Sequence, residues 1–182
     1  MEESILIILR GNSGSGKTTV ARLLQGKFGP NTMLISSDTV RMEMLHVWGQ
    51  QGIEKSQPLM IELLKYGKQH SEITILEGVL PADAYDTLFE TALQEYGNHI
   101  LAYYYDIPFE ETLIRHKTKP NCNDFREEDM RRWWKEKDYL EIIPEKTLYK
   151  EISLENAVEL IYEDCINDMG GQDDADGEKS TQ

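Results

Sequence analysis

A chain of 182 residues, 40% hydrophobic and 29% charged, holds one domain with a sizeable core. Its formal charge of −14, from 19 Lys+Arg against 33 Asp+Glu, disfavours a polyanionic nucleic-acid partner, because neutralising phosphates takes clustered cations. No apolar run reaches the ~20 residues of a membrane span, and Cys122 and Cys165, without C-x-x-C spacing, argue against a disulfide scaffold and for a reducing cytoplasm.

The opening "MEESILIILRG" is acidic where a secretory leader is basic, and it reads as a first strand. The expected strand spans residues 4–10, and Ile5 to Leu9 within it are apolar on consecutive positions, as a strand covered on both faces should be. After a glycine-rich segment, "KTTVARLLQGKFG" predicts a helix stopped at Gly29-Pro30. Further strands are expected at 32–37, 73–78, 100–106 and, more faintly, 146–152. The helices expected between and after them are "QPLMIELLKYGKQ" (57–69), "ADAYDTLFETALQEYG" (82–97), "PFEETLIRHK" (108–117) and "SLENAVELIYEDCI" (153–166). Regular βα alternation predicts a mostly parallel sheet in one domain over residues 1–166. Residues 167–182 read as an acidic disordered tail, since "GGQDDADGEKSTQ" has almost nothing apolar to offset the entropy of ordering.

Residues 116–138 break the βα scheme. This stretch is dense in charge, interrupted by Pro120, and placed between the fourth and fifth strands, so it is expected to be an excursion acting as a lid. The candidate cations in and just before it are Arg115, His116, Lys117, Lys119, Arg126, Arg131 and Arg132. An arginine fork suits charge developing on a transferred phosphoryl group, and Arg126 and Arg132 are the candidates for that role. The competing reading pairs these cations with Glu127, Glu128 and Asp129 on a solvated helix. Met130, Trp133 and Trp134 recur at helical spacing and read as a hydrophobic anchor for the lid rather than a base-stacking platform.

Gly11-Asn12-Ser13-Gly14-Ser15-Gly16-Lys17-Thr18 matches G-x-x-x-x-G-K-[ST] at every fixed position, with a strand before it and a helix after it. Such a loop curls its N–H groups inward around phosphates and adds the partial positive charge of a helix N-terminus. Residues 11–18 together with Thr19 are therefore the expected nucleotide site, with Lys17 reaching the β- and γ-phosphates and Thr18 ligating Mg²⁺. The cofactors expected are ATP and Mg²⁺. No N-K-x-D motif, and no D-x-x-G after a strand, supports a GTPase. A kinase further needs a base near an acceptor hydroxyl. Asp38 and Arg41 stand one turn apart just after the second strand, where they suit a base and a substrate clamp, unless Asp38 merely caps a helix. Glu77 ends the third strand, where it can hold a Mg²⁺ water, grip the acceptor or simply be solvated, and Gly78 beside it permits close approach. His46, His70, His99 and His116 show no ligand spacing.

These residues resemble a known group: the small P-loop kinases related to zeta toxins, polynucleotide 5′-kinases and chloramphenicol phosphotransferase. "GNSGSGKTT" is shared across the superfamily. "SSDTVR" looks like the Asp-x-x-Arg element, by which Asp38 inherits the role of base and Arg41 that of substrate ligand. "ILEGVL" looks like the zeta-type strand end, which makes Glu77 a substrate-contacting acid. The chain also resembles uridine kinase-like bacterial ATP-binding proteins. The resemblance implies a three-layer α/β/α P-loop NTPase fold, with a five-stranded parallel sheet ordered 2-3-1-4-5 and a lid between strands 4 and 5. It implies phosphoryl transfer from ATP to a hydroxyl, with a small molecule such as a nucleoside, nucleotide sugar or antibiotic as partner. A toxin-type or polynucleotide 5′-hydroxyl kinase is one alternative, and an antitoxin-like protein partner would accompany it. A non-catalytic nucleotide-binding regulator is the other. The weakly marked fifth strand and the overall acidity depart from the family pattern.

Overall fold

Ile5–Gly11 is buried at every position and forms β1, the central strand. In this computed structural model, which describes residues 4–117 and 126–170, β1 pairs in parallel with β3 (Ile73–Gly78) on one side and β4 (Ile100–Asp106) on the other. β2 (Thr32–Ser36) and β5 (Glu145–Tyr149) close the edges, so the sheet is all parallel and ordered β2-β3-β1-β4-β5. Parallel strands need crossovers, and right-handed helical ones cover both faces. α1 (Lys17–Phe28) and α6 (Leu154–Gly170) pack on one face, where Ile5, Ile7 and Leu9 meet Val20, Leu24 and Ile161. α2 (Gly49–His70) and α3 (Asp86–Tyr96) cover the other, where Leu6 and Ile8 meet Met60, Leu64, Leu88 and Phe89. Period-two alternation along β1 thus feeds two separate cores.

α4 (Phe109–Lys117) follows β4, and the short α5 (Glu127–Trp133) occupies the expected excursion before β5. Lys119, Pro120 and Cys122 lie outside the described residues, as does 171–182 of the expected tail. Helix α6 itself continues past residue 166 to Gly170, because Met169 extends its apolar stripe onto the core.

α2 starts at Gly49, well before the expected residue 57. Its buried stripe runs Gly52, Ser56, Met60, Leu64 and Gly67. Small residues continue the buried face toward the N-terminus, and an apolar pattern alone does not register them. Pro58 falls within this helix on its exposed side. Between β2 and α2, Thr39–Met44 forms a wide π-type turn in which the Leu45 N–H donates to the Val40 carbonyl at 3.1 Å. No helix among the described residues is long and apolar enough to cross a membrane.

Candidate active site

The ends of β1, β2 and β3 meet at one edge of the sheet, beside the point where strand order reverses. Ser36 and Leu9 both stand in register with Glu77, which brings three strand ends level.

The nucleotide loop is built by its neighbours. Gly11 lies so close to β4 that a Cβ there would sit 2.9 Å from the Tyr105 Cβ. Gly14, at φ +83, passes over α4, where a Cβ would sit 2.7 Å from the Thr112 carbonyl oxygen. Gly16 takes φ +101 as the residue before α1, whose first turn carries no acidic residue, so the helix dipole is left to an outside anion. The Lys17 ammonium donates to the Asn12 carbonyl at 2.8 Å and to Ser15 Oγ at 3.0 Å. It is held over the loop, where a phosphate would lie.

Glu77 is buried, with 3% of its surface exposed. The solvated strand-end reading is therefore corrected: pairing with β1 and β2 encloses the residue. Its carboxylate accepts from Ser36 Oγ at 2.6 Å and from Thr18 Oγ1 at 3.2 Å to each oxygen. Thr18 and Glu77 thus present hard oxygen donors together at the mouth of the loop. This set fits Mg²⁺, which takes one or two protein oxygens plus phosphates and waters.

Asp38 sits exposed on the same small cleft, whose lining includes Gly14, Lys17, Thr18, Asp38, Glu77 and Val79. Its side chain makes no capping hydrogen bond to the turn that follows. The cap reading of Asp38 therefore finds no support in the geometry. Arg41 lies on that turn with Nε buried and without a hydrogen-bond partner among the described residues, and Gly52 makes room for it, since a Cβ there would come within 3.2 Å. Tyr85 and Ser56 share a buried 3.5 Å hydrogen bond nearby. Burial pushes the Tyr85 phenol up, while Ser56 and the charge of Arg41 oppose this and Asp38 adds to it. Asp38, Arg41, Ser56 and Tyr85 consequently share one neighbourhood.

The excursion arginines are placed differently. Arg126 and Arg132 are exposed, and neither lines the cleft. Arg131 pairs with Glu127 at 3.1 Å and lies 4.3 Å over the Phe109 ring. Met130 is buried and Trp134 meets Phe109 edge-on, whereas Trp133 is about half exposed. Arg115, on α4, reaches the nucleotide loop itself through the Ser15 carbonyl at 3.1 Å, with Glu111 steadying it at 2.9 Å. Two further contributions escape sequence reading. The Asn12 side chain donates to the Lys135 carbonyl at 2.6 Å and accepts from the Lys135 N–H at 3.0 Å. Arg10 is wholly buried between Asp138 and Glu145. A charge ending an otherwise apolar strand was the one available signal for Arg10.

The sheet order, the glycine loop wrapped on a helix N-terminus, and the Thr18–Glu77 pair define a P-loop α/β protein of the nucleoside-triphosphate-binding type. The chain belongs to the family described as an AAA domain (AAA_33), whose model matches residues 6–128, well over half of its length. Its fold is shared with small-molecule kinases. A gluconokinase from Sinorhizobium meliloti is 13% identical, with 94% of this chain and 97% of that one covered and a TM-score of 0.63. The APS kinase of Mycobacterium tuberculosis, solved in complex with AMPPNP and APS, is 15% identical over 90% and 98% of the two chains, with a TM-score of 0.58. The Deinococcus radiodurans tunicamycin resistance protein is 17% identical over 88% and 95%, also at 0.58. At such identities the likeness is one of fold. No curated protein matches the sequence.

Proposed function

We propose that the protein is a cytoplasmic P-loop kinase that transfers the γ-phosphoryl group of ATP to a hydroxyl of a small molecule. One observation carries this reading: Asp38, spent on no cap, shares a single cleft with the nucleotide loop and the Thr18–Glu77 pair. A pure nucleotide sensor has no need of a carboxylate there.

In this reading Lys17 and the loop amides hold the β- and γ-phosphates, and the geometry is preorganised because the loop already rests on α4 and β4. Asp38 orients the acceptor hydroxyl and takes its proton as the oxygen attacks phosphorus. Arg41, which does not line the cleft but lies on the turn after Asp38 with its Nε buried beside Gly52, is assigned to fix the substrate. Thr18 and Glu77 would hold Mg²⁺, which when bound neutralises charge on the phosphate oxygens. Arg115 steadies the loop backbone during turnover. Kinase neighbours of the same fold, one of them holding AMPPNP, support the donor assignment.

The test is transfer of label from γ-labelled ATP to a panel of acceptors. The panel holds nucleosides, UDP-linked amino sugars, aminoglycosides, chloramphenicol, tunicamycin, gluconate, APS and a 5′-hydroxyl oligonucleotide. Asp38→Asn should bind ATP as wild type does and lose at least about a hundredfold in transfer, the scale of general-base catalysis. If wild type labels nothing while both proteins bind ATP equally, the regulator reading replaces this one.

A further inference from the structure

Arg10 does more than balance charge. Its guanidinium donates through Nε and Nη2 to the Leu80 carbonyl at 3.0 and 2.9 Å. Nη1 donates to the Asp138 carbonyl at 2.9 Å and to both Glu145 oxygens at 2.9 and 3.1 Å, and Nη2 also reaches Asp138 Oδ2 at 2.9 Å. The Phe89 and Tyr104 rings lie 5.2 and 5.7 Å from it. Every donor of the planar fork is thus directed, which a lysine cannot reproduce.

The two ends of this network matter. Leu80 is a buried leucine at φ +44, a left-handed conformation that a bulky side chain adopts only when its surroundings impose it. It directly follows Gly78 and Val79, which line the cleft. Asp138 also accepts from the Ala82 N–H at 3.0 Å, so the loop 79–85 is held twice. The segment carrying Asp138 begins at Lys135, and Lys135 is clasped by Asn12 of the nucleotide loop through two backbone bonds. One short segment therefore touches the nucleotide loop at one end and the opposite wall of the cleft at the other. A buried ion pair is by itself weak evidence for stability; here its bonds end on a strained residue beside the site.

We propose that Arg10 is a positioning residue, which with Asp138 and the Asn12–Lys135 clasp couples the nucleotide loop to the acceptor-side wall at 79–85. This rests on the kinase reading, in which that wall faces the acceptor. Nucleotide bound at residues 11–19 would meet this wall directly only at Val79, and through the network it would order the rest of 79–85.

Amide hydrogen exchange of the full chain, alone and with Mg²⁺ and AMPPNP, tests this. In wild type the nucleotide should slow exchange in 11–19 and also in 79–85, the latter about threefold or more. Arg10→Lys, which keeps the charge but not the fork, and Asp138→Asn should retain protection of 11–19 and lose that of 79–85. Lys27→Gln, which removes a pair with Glu159 between α1 and α6 on the other side of the sheet, should behave as wild type. Should both Arg10→Lys and Asp138→Asn transmit protection as wild type does, even with lowered melting temperatures, Arg10 is structural only and the proposal is wrong. It is equally wrong if wild type protects 11–19 alone. If Arg10→Lys does not fold, Asp138→Asn decides. If AMPPNP protects nothing in wild type, the kinase reading fails instead. The coupling is then read without nucleotide: Asn12→Ala must speed exchange in 79–85, and unchanged exchange there overturns it.

Discussion

Gly14→Ala probes the nucleotide loop where it is most tightly constrained. An alanine at φ +83 costs about 1–2 kcal/mol for its left-handed backbone. Its Cβ would also meet the Thr112 carbonyl oxygen at 2.7 Å and the Thr112 Cβ at 3.3 Å. The nearest of these atoms is backbone of α4, so the loop or the helix must move, at the roughly 1–3 kcal/mol typical of overpacking. Together these give about 3 kcal/mol, which in a chain of this size lowers the melting temperature by roughly 6–12 °C. Gly26→Ala is the matched contrast. Gly26 lies within α1, exposed, with nothing within 4 Å of a new Cβ, and the substitution should stabilise by about 0.5–1 kcal/mol. Thermal unfolding of both variants, alone and with Mg²⁺ and ATP at about a hundred times Kd, reads the result, since such ligand adds about 2.7 kcal/mol. Gly14→Ala should melt low and gain nothing from nucleotide, while Gly26→Ala should melt slightly high and keep the full gain. A Gly14→Ala protein melting within about 2 °C of wild type, with its nucleotide shift intact, would refute the close approach of loop and helix.

Glu77→Gln keeps the shape and the hydroxyl contacts but removes the charge, so ATP affinity in Mg²⁺ should fall about 10–100-fold with affinity in EDTA unchanged; calorimetry that finds the Mg²⁺ effect intact removes Glu77 from the metal role. Burial lifts the Tyr96 phenol and the Cys165 thiol each to about 12 from ordinary values of 10 and 9. Both are folded in their protonated forms, so the unfolded chain releases these protons first, and the stability they contribute is whole below pH 9 and lost toward pH 12. Melting temperatures followed from pH 8 upward should decline over that window, less steeply in Cys165→Ala. Cys165 of the folded protein should resist alkylation at pH 8, and rapid labelling there would show that its thiol is not buried as described.

The five strands, most of the helices and the nucleotide loop were legible in the sequence because each is a local pattern. Alternation and apolar runs report burial directly, and the P-loop is contiguous, so spacing alone places Lys17 and Thr18 at the start of a helix. Where the local signal was weak, boundaries moved: α2 began earlier because Gly52 and Ser56 are buried without being apolar. Asp38 was singled out by position, and the turn geometry adds that its side chain makes no capping hydrogen bond.

What the tertiary structure decided were the meetings between distant residues. Glu77 pairs with Thr18 across 59 positions, Arg10 with Asp138 across 128, and Asn12 with Lys135 across 123. Arg126 and Arg132, chosen for chemistry alone, do not line the described cleft, while Arg115 reaches its loop. A residue's type states what bonds it can make. Its partners are set by how the sheet order and crossovers bring chain segments together, and that is a property of the whole fold rather than of any local stretch.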